Sequence, residues 1–379
     1  MNLRRSLPLV IGAAVAALLL AAGGATPAVA GDSSGSQLVI AVEAPLSGSQ
    51  AGNGKDIARG VRLAVQQANA SGGVLGRTVR LVELDDQADP SLAAAMVKQA
   101  QAAGAVAVVG PYNSSVGVVN LPGYLKAGIV PVHLVSTNDV DGMGVTVQPK
   151  NNQISPVETA YAESIGATSI VMLVDPSTYT QGMANRFAKT MTADGAIVTS
   201  IPITEGQSDY TSEVAQALAG VPDLVYVSTY YPEGAKIAQA LAKSKLPTRC
   251  FMGLANVDAA FVSEAGIIAS QRCVFSGLPE APQFPGKPAK AYVAEYEKAF
   301  GKTPGVWGIF SYDSTRLLFA AMEKAGTTAF SPVLANLDHA KGFGGATGSI
   351  TIEPSTGNRK DVPVFILRVD DRGVFRVEQ

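Results

Sequence analysis

The sequence predicts an α/β protein built from two doubly wound, parallel-sheet lobes. Three observations predict it. Short apolar runs alternate with segments whose apolar residues recur at helical spacing. The runs are continuously apolar, as in strands covered by helices on both faces. The alternation runs to about residue 135 and starts again at 169. The chain has 379 residues, enough for two domains of ordinary size. Apolar residues make up 47 %, charged residues only 16 %, and the net charge is −2. That balance excludes a nucleic-acid partner, which needs a basic face, and excludes a disordered chain.

Taken in order, residues 38–42 form a first buried strand. A loop over 45–54, rich in Gly and Ser, follows it. Ile57, Val61, Ala64, Val65 and Ala68 mark a helix that Ser71-Gly72-Gly73 ends. Residues 79–84 are the next strand, and a helix starting at Asp89-Pro90-Ser91 runs through Ala103. Strands over 106–109 and 129–135 flank a helix that includes 121–126. Downstream, strands over 169–174, 197–201 and 224–228 alternate with helices over 181–193, 211–219 and 234–243. Pro279, Pro282, Pro285 and Pro288 then read as a crossover linker. Helices over 289–300 and 312–324 follow, and residues 348–376 alternate like strands, with turns at 354–357 and 370–373.

The first thirty residues read as a secretory leader. Arg4 and Arg5 supply the positive start, 7–22 the apolar stretch, and Ala28-Val29-Ala30 the small-residue cleavage site. The mature chain is expected to begin near Gly31 and to be a soluble periplasmic protein exported by the general secretory route. Cys250 and Cys273, each at the start of an apolar run, either form a disulfide in that oxidising compartment or remain two buried thiols.

The chain lacks the patterns of an enzyme. His133 and His339 are its two histidines, and no cluster has metal-ligand spacing. No Gly-x-Ser-x-Gly elbow and no phosphate-binding glycine loop occur. No cofactor and no metal are expected. His133, inside an apolar strand, reads as a satisfied core residue. Ligands of open α/β sheets bind outside the carboxyl ends of the strands. Three polar loops occupy that place in the first lobe: 47–54, which includes Asn53; 110–115, which includes Tyr112 and Ser114; and 135–138, with Val135, Ser136, Thr137 and Asn138. Their hydroxyls and free N–H groups suit a carboxylate, and equally suit plain helix capping. Tyr179 and Tyr230 follow strands of the second lobe, placed to close over a ligand or to sit as ordinary surface tyrosines.

At these loops the sequence resembles the branched-chain amino-acid (Leu/Ile/Val) binding family, the type I periplasmic solute-binding proteins of ABC importers. The resemblance rests on Ala44-Pro45-Leu46-Ser47-Gly48, on 60–76 ending in Ser-Gly-Gly-Val-Leu-Gly, and on Leu84-Asp85-Asp86-Gln87-Ala88-Asp89-Pro90. It continues through Val109-Gly110-Pro111, Gly128-Ile129-Val130-Pro131, Ser208-Asp209-Tyr210 and Ser311-Tyr312-Asp313, covering nearly the whole mature chain in order. It implies two α/β lobes joined by three crossovers with the ligand cleft between them. Lobe 1 is then 37–152 plus 281–360, and lobe 2 is 153–280 plus 361–379. It implies a carboxylate held by the Ser114 hydroxyl, the backbone at Val135, and Thr137, under lid tyrosines Tyr179 and Tyr230. Asn53 falls where relatives often carry an aromatic residue, and Trp307 near an apolar contact.

One position departs from the family. After Phe251-Met252-Gly253, where relatives place an acid for the ligand's ammonium, this chain has Leu254-Ala255-Asn256. Ala255 offers no charge. Asp258 or Glu233 then substitutes, or the ligand has no ammonium, since a buried unpaired ammonium costs several kcal/mol. Tyr230 and Asn256 accept hydrogen bonds without neutralising charge. The expected function is the extracytoplasmic binding component of an ABC importer, a monomer that is not an enzyme and works with the importer's membrane subunits. Its expected ligand is an aliphatic amino acid, with a keto or aromatic carboxylate as the alternative. A soluble ligand sensor of the same fold is the alternative from another class.

Overall fold

Seven consecutive buried residues, Leu38–Ala44, form β1, and the computed structural model describes the chain from there onward, over residues 37–378. The expected leader lies outside the described residues. The helix α1 (Ala51–Ala70) returns the chain to β2 (Val79–Asp85). Then α2 (Ala93–Ala102), β3 (Ala107–Val109), α3 (Ser114–Lys126) and β4 (Val130–Val132) complete a first sheet. Its order is β2-β1-β3-β4 and every pairing is parallel. The chain steps from β1 to one side and then back to the other. The switch between β1 and β3 opens a crevice at their carboxyl ends.

The helix α4 (Asn151–Ser164) leads into the second lobe. Its sequence hides it. Pro156 lies inside, and its buried face carries the polar residues Ser155, Glu158 and Thr159. There follow β5 (Ser169–Val174), α5 (Thr178–Ala193), β6 (Ile197–Pro202) and α6 (Thr211–Leu218). After them come β7 (Leu224–Ser228), α7 (Tyr231–Ala242), β8 (Arg249–Met252), α8 (Ala259–Ala265), α9 (Ile267–Gln271) and β9 (Cys273–Gly277). Cys250 and Cys273 face each other in the β8–β9 register and are joined as a disulfide, which resolves the two readings of that pair.

The proline-rich segment carries the chain back to the first lobe. There α10 (Lys287–Phe300), α11 (Trp307–Ala325) and α12 (Phe330–Asp338) follow, and α11 lies along α1. Two small ribbons, β10 (Phe343–Gly345) with β11 (Gly348–Ile350) and β12 (Ile352–Glu353) with β13 (Asn358–Arg359), precede a third passage. The last strands, β14 (Phe365–Val369) and β15 (Phe375–Val377), join the second sheet. Its order is β15-β14-β9-β8-β7-β5-β6. The parallel expectation fails at this edge, where β14 runs antiparallel to β9, and β15 antiparallel to β14. The reason is connectivity. β14 arrives from the other lobe and so enters the sheet against its direction, and the turn at Asp370 folds β15 back on it, with Asp370 Oδ1 accepting from the Arg372 and Val374 N–H groups.

The close approach of α1 and α11 depends on Gly60. A Cβ there would lie 2.0 Å from Gly308 O and 2.4 Å from Ser311 Oγ. Gly60→Ala is expected to lower stability by about 3 kcal/mol through overpacking, measured as a shift in the urea midpoint.

Candidate functional site

Each sheet aims its switch point at the other lobe. In the first, the loop after β3 delivers Tyr112 and places Ser114 at the start of α3, while the extended chain after β4 delivers Leu134 and Ser136. In the second, whose switch lies between β5 and β7, Tyr179 sits in the first turn of α5 and Tyr230 caps α7. Leu254 and Ala255 follow β8, and Trp307 starts α11. With Gln148 these residues line one narrow cavity between the lobes. The aromatic rings form a connected wall. Tyr112 meets Trp307 edge-on at 5.1 Å and Tyr230 at 6.4 Å, and Tyr179 tilts against Tyr230 at 5.9 Å. The buried Tyr179 hydroxyl has no hydrogen-bond partner among the described residues.

The opposite wall is polar. Ser114 Oγ accepts from the Thr137 N–H at 3.3 Å, and Ser136 Oγ donates to Pro149 O at 2.9 Å while accepting from Gln148 Nε2 at 3.0 Å. Beneath this segment lies Lys150, wholly buried. Its Nζ donates to Val135 O at 3.2 Å and to Thr137 O, and pairs with Asp141 at 3.2 Å. Burial lowers its pKa to about 8, against the opposing pull of Asp141. A trans peptide points its C=O and N–H in opposite directions. Because the Val135 carbonyl faces the ammonium, the Ser136 N–H of the same unit faces away from it. The result is a hydroxyl, the Ser136 N–H and a buried positive charge on one side, and aromatic faces on the other. That combination suits an anion with an apolar body.

Of the residues expected from the sequence, Tyr112, Ser114, Ser136, Tyr179, Tyr230, Ala255 and Trp307 come together in this cavity. Val135, expected to offer its backbone, does not line the cavity, and its C=O is taken by the Lys150 ammonium. Its side chain packs with Leu121 and Val140, its N–H donates to His133 Nδ1, and the imidazole is held neutral by burial and by Lys150. The Thr137 hydroxyl is committed to its own turn, donating to Asp139 Oδ2 at 2.9 Å. Asn256 is wholly buried and ties two loops together, donating to Thr229 O at 2.9 Å and Gly253 O at 3.2 Å. Asn53 lines a different cavity, with Asp56 and Asp258. Neither candidate counter-charge lines the aromatic cavity. Asp258 caps α8 through the Ala260 N–H at 2.6 Å, its carboxyl pushed up to about 6 by burial. Glu233 lies at the mouth of the cleft and accepts from the Gly206 N–H.

The sequence carries no signal for Lys150 or Gln148. They stand singly between two irregular segments, and only the return of the chain beneath 135–137 gives them a role.

Known proteins share this chain's fold. Residues 37–373 match the family described as periplasmic binding protein. A Leu/Ile/Val-binding protein homolog 2 from Brucella abortus is 25 % identical over 311 residues, covering 78 % of this chain and 81 % of that protein. The crystal structure of a leucine-binding protein from Thermotoga maritima superposes with a TM-score of 0.83 at 23 % identity, over 90 % of this chain and 98 % of that one. A solute-binding protein of an ABC transporter from R. palustris, in complex with benzoate, superposes at 0.80 with 20 % identity, over 90 % and 95 %. Among the described residues no helix is long and apolar enough to cross a membrane, and no group of three His, Cys, Asp or Glu residues is placed to hold a metal ion.

Proposed function

The chain belongs to the periplasmic binding protein family, and from that premise we propose that it captures a small carboxylate with an apolar body and delivers it to the membrane subunits of an ABC importer. The observation that carries this reading is the interlobe cavity. Ser114, Ser136 and Gln148, with Lys150 beneath their segment, form one wall, and Tyr112, Tyr179, Tyr230 and Trp307 the other. Relatives with this fold are described as binding leucine or benzoate, and a carboxylate is common to both. All ten residues lining the cavity are uncharged, Ala255 among them. This supports a solute with no ammonium beside its carboxylate over the aliphatic α-amino acid expected from the sequence. The role is binding and hand-over, with hinge closure as the motion, as in periplasmic binding proteins generally.

A thermal-shift screen of amino acids, keto acids and aromatic acids tests the reading, and no stabilisation by any carboxylate would sink it. For the carboxylate so identified, Ser114→Ala is expected to weaken binding by about 1.5–3 kcal/mol, the worth of a hydrogen bond to a charged group. Calorimetry giving the wild-type affinity would remove Ser114 from the site.

A further inference from the structure

A pocket of about 620 Å³ lies in the second lobe, at the end of the sheet away from the cleft. The cleft is bordered by the carboxyl ends of β5, β7 and β8, whereas Arg249 starts β8 and Arg272 stands just before β9. β8 and β9 pair with Cys250 beside Cys273, so the arginines that precede the two cysteines stand side by side. Successive side chains of a strand alternate in face, which turns both arginines to the other face of the sheet from the cystine sulfurs. β14 pairs antiparallel with β9, Leu367 beside Phe275, and this brings Arg368 in beside Val274 on that same face. Three guanidiniums from three neighbouring strand ends line the pocket together.

Like charges side by side on paired strands are destabilising, and the pocket holds too little negative charge to offset these. Glu378, the carboxylate lining it among the described residues, is paired with Arg368 at 2.8 Å. The carboxyl end of α4, which lines the pocket through Ser164 and Ile165, adds about half a charge. The neighbouring acids are turned elsewhere. Asp223 accepts from the Thr168 and Ser169 N–H groups, and Asp371 from Gln271 Nε2. The Arg249 side chain makes no hydrogen bond or ion pair among the described residues. The Arg272 guanidinium is anchored from behind, its Nη2 donating to Leu246 O at 3.0 Å and Thr248 O at 2.6 Å, and it has no carboxylate partner among the described residues. Tyr161, stacked on Phe251 at 4.7 Å, sets its phenol among these charges. Burial raises that phenol's pKa, and the facing Arg368 and Arg249 guanidiniums pull it down. Val274 and Ile366 supply apolar surface beside them.

We propose that this pocket is a second ligand site, distinct from the cleft, that binds a phosphate monoester. A guanidinium fork matches a tetrahedral oxyanion through two parallel N–H donors. The Arg249 and Arg272 charges balance the roughly two negative charges of a phosphate monoester. The Tyr161 hydroxyl gives a further hydrogen bond, and Val274 and Ile366 receive the ester's carbons. A free phosphate ester and a phosphate carried on a lipid headgroup share this chemistry. The inference is independent of the carboxylate reading of the cleft.

Calorimetry with glycerol 3-phosphate at constant ionic strength tests the site. The expected result is one bound phosphate per chain, weakened at least about tenfold by Arg249→Glu, the worth of a hydrogen bond to a charged group together with the reversed charge. The melting temperature of the ligand-free variant should match the wild type, because Arg249 has no partner to lose. Tyr161→Phe should weaken binding about threefold through the lost hydroxyl. No binding of glycerol 3-phosphate, binding that Arg249→Glu leaves intact, or binding that Ser114→Ala removes (which would put the anion in the cleft) overturns the proposal. Sedimentation with vesicles of phosphatidic acid, against vesicles of phosphatidylcholine, distinguishes the sources. Capture by phosphatidic acid that Arg249→Glu abolishes identifies a lipid headgroup, and protein that binds glycerol 3-phosphate but stays in the supernatant identifies a free phosphate ester.

Discussion

Lys150→Met is expected to cost roughly 3 kcal/mol of folding stability and to weaken carboxylate binding by roughly 1–2 kcal/mol. The stability loss comes from the acceptors left behind. Val135 O and Thr137 O are buried with the ammonium as their partner, whereas Asp141 is 26 % exposed and regains water. The affinity loss comes from removing a positive charge beneath the segment that receives the anion. The pH dependence separates the two effects. The groups facing the ammonium are Asp141, Asp139 and His133, the last kept neutral by burial. With its pKa lowered to about 8, Lys150 begins to lose its proton in the folded protein well before it does in the unfolded chain. The unfolded chain therefore binds more protons above pH 8, and this residue's contribution to stability rises with pH between about 8 and 10.5. Carboxylate affinity moves the other way. It is fully present well below pH 8 and falls as the ammonium discharges through that pH. Binding isotherms from pH 6.5 to 9.5 should show that fall in the wild type and a flat profile in Lys150→Met. An affinity independent of pH in the wild type would exclude the charge from binding.

Trp307→Ala is expected to lower stability by about 3–5 kcal/mol and to weaken ligand binding more than tenfold. The indole is 2 % exposed and packs against Tyr112 at 5.1 Å and Phe310 at 6.3 Å, so truncation opens a void in the aromatic wall. Trp307 is also the one tryptophan of the chain, which makes it a reporter. Saturating carboxylate should shift or quench the intrinsic emission, and Trp307→Phe should abolish the signal while keeping the fold. Emission that does not move while calorimetry detects binding would place the ligand away from the indole.

The sequence by itself determined the two doubly wound lobes and the strand ends that border the candidate site. Continuous apolar runs such as 38–42 and 224–228 can be buried only between two helical layers, and a chain that alternates in this way has few topologies open to it. Tyr112, Ser114, Tyr179 and Tyr230 were legible because they follow strands directly, where a local pattern and a spatial position coincide. The tertiary structure alone decided what lies between those ends. The helix α4 was concealed because its buried face is polar and carries an internal proline, so its hydrophobic period is broken. Asn53 and Asn256 have the residue type of a site but are turned elsewhere, one into another cavity and one into its own loops. Thr137 spends its hydroxyl on a cap that competes locally for the same group. Lys150 and Gln148 depend on residues from different loops converging, which no spacing in one dimension encodes. Local chemistry is written along the chain, but a buried charge acquires its partner only when distant segments meet, and in this protein those meetings set the charge pattern of the cleft.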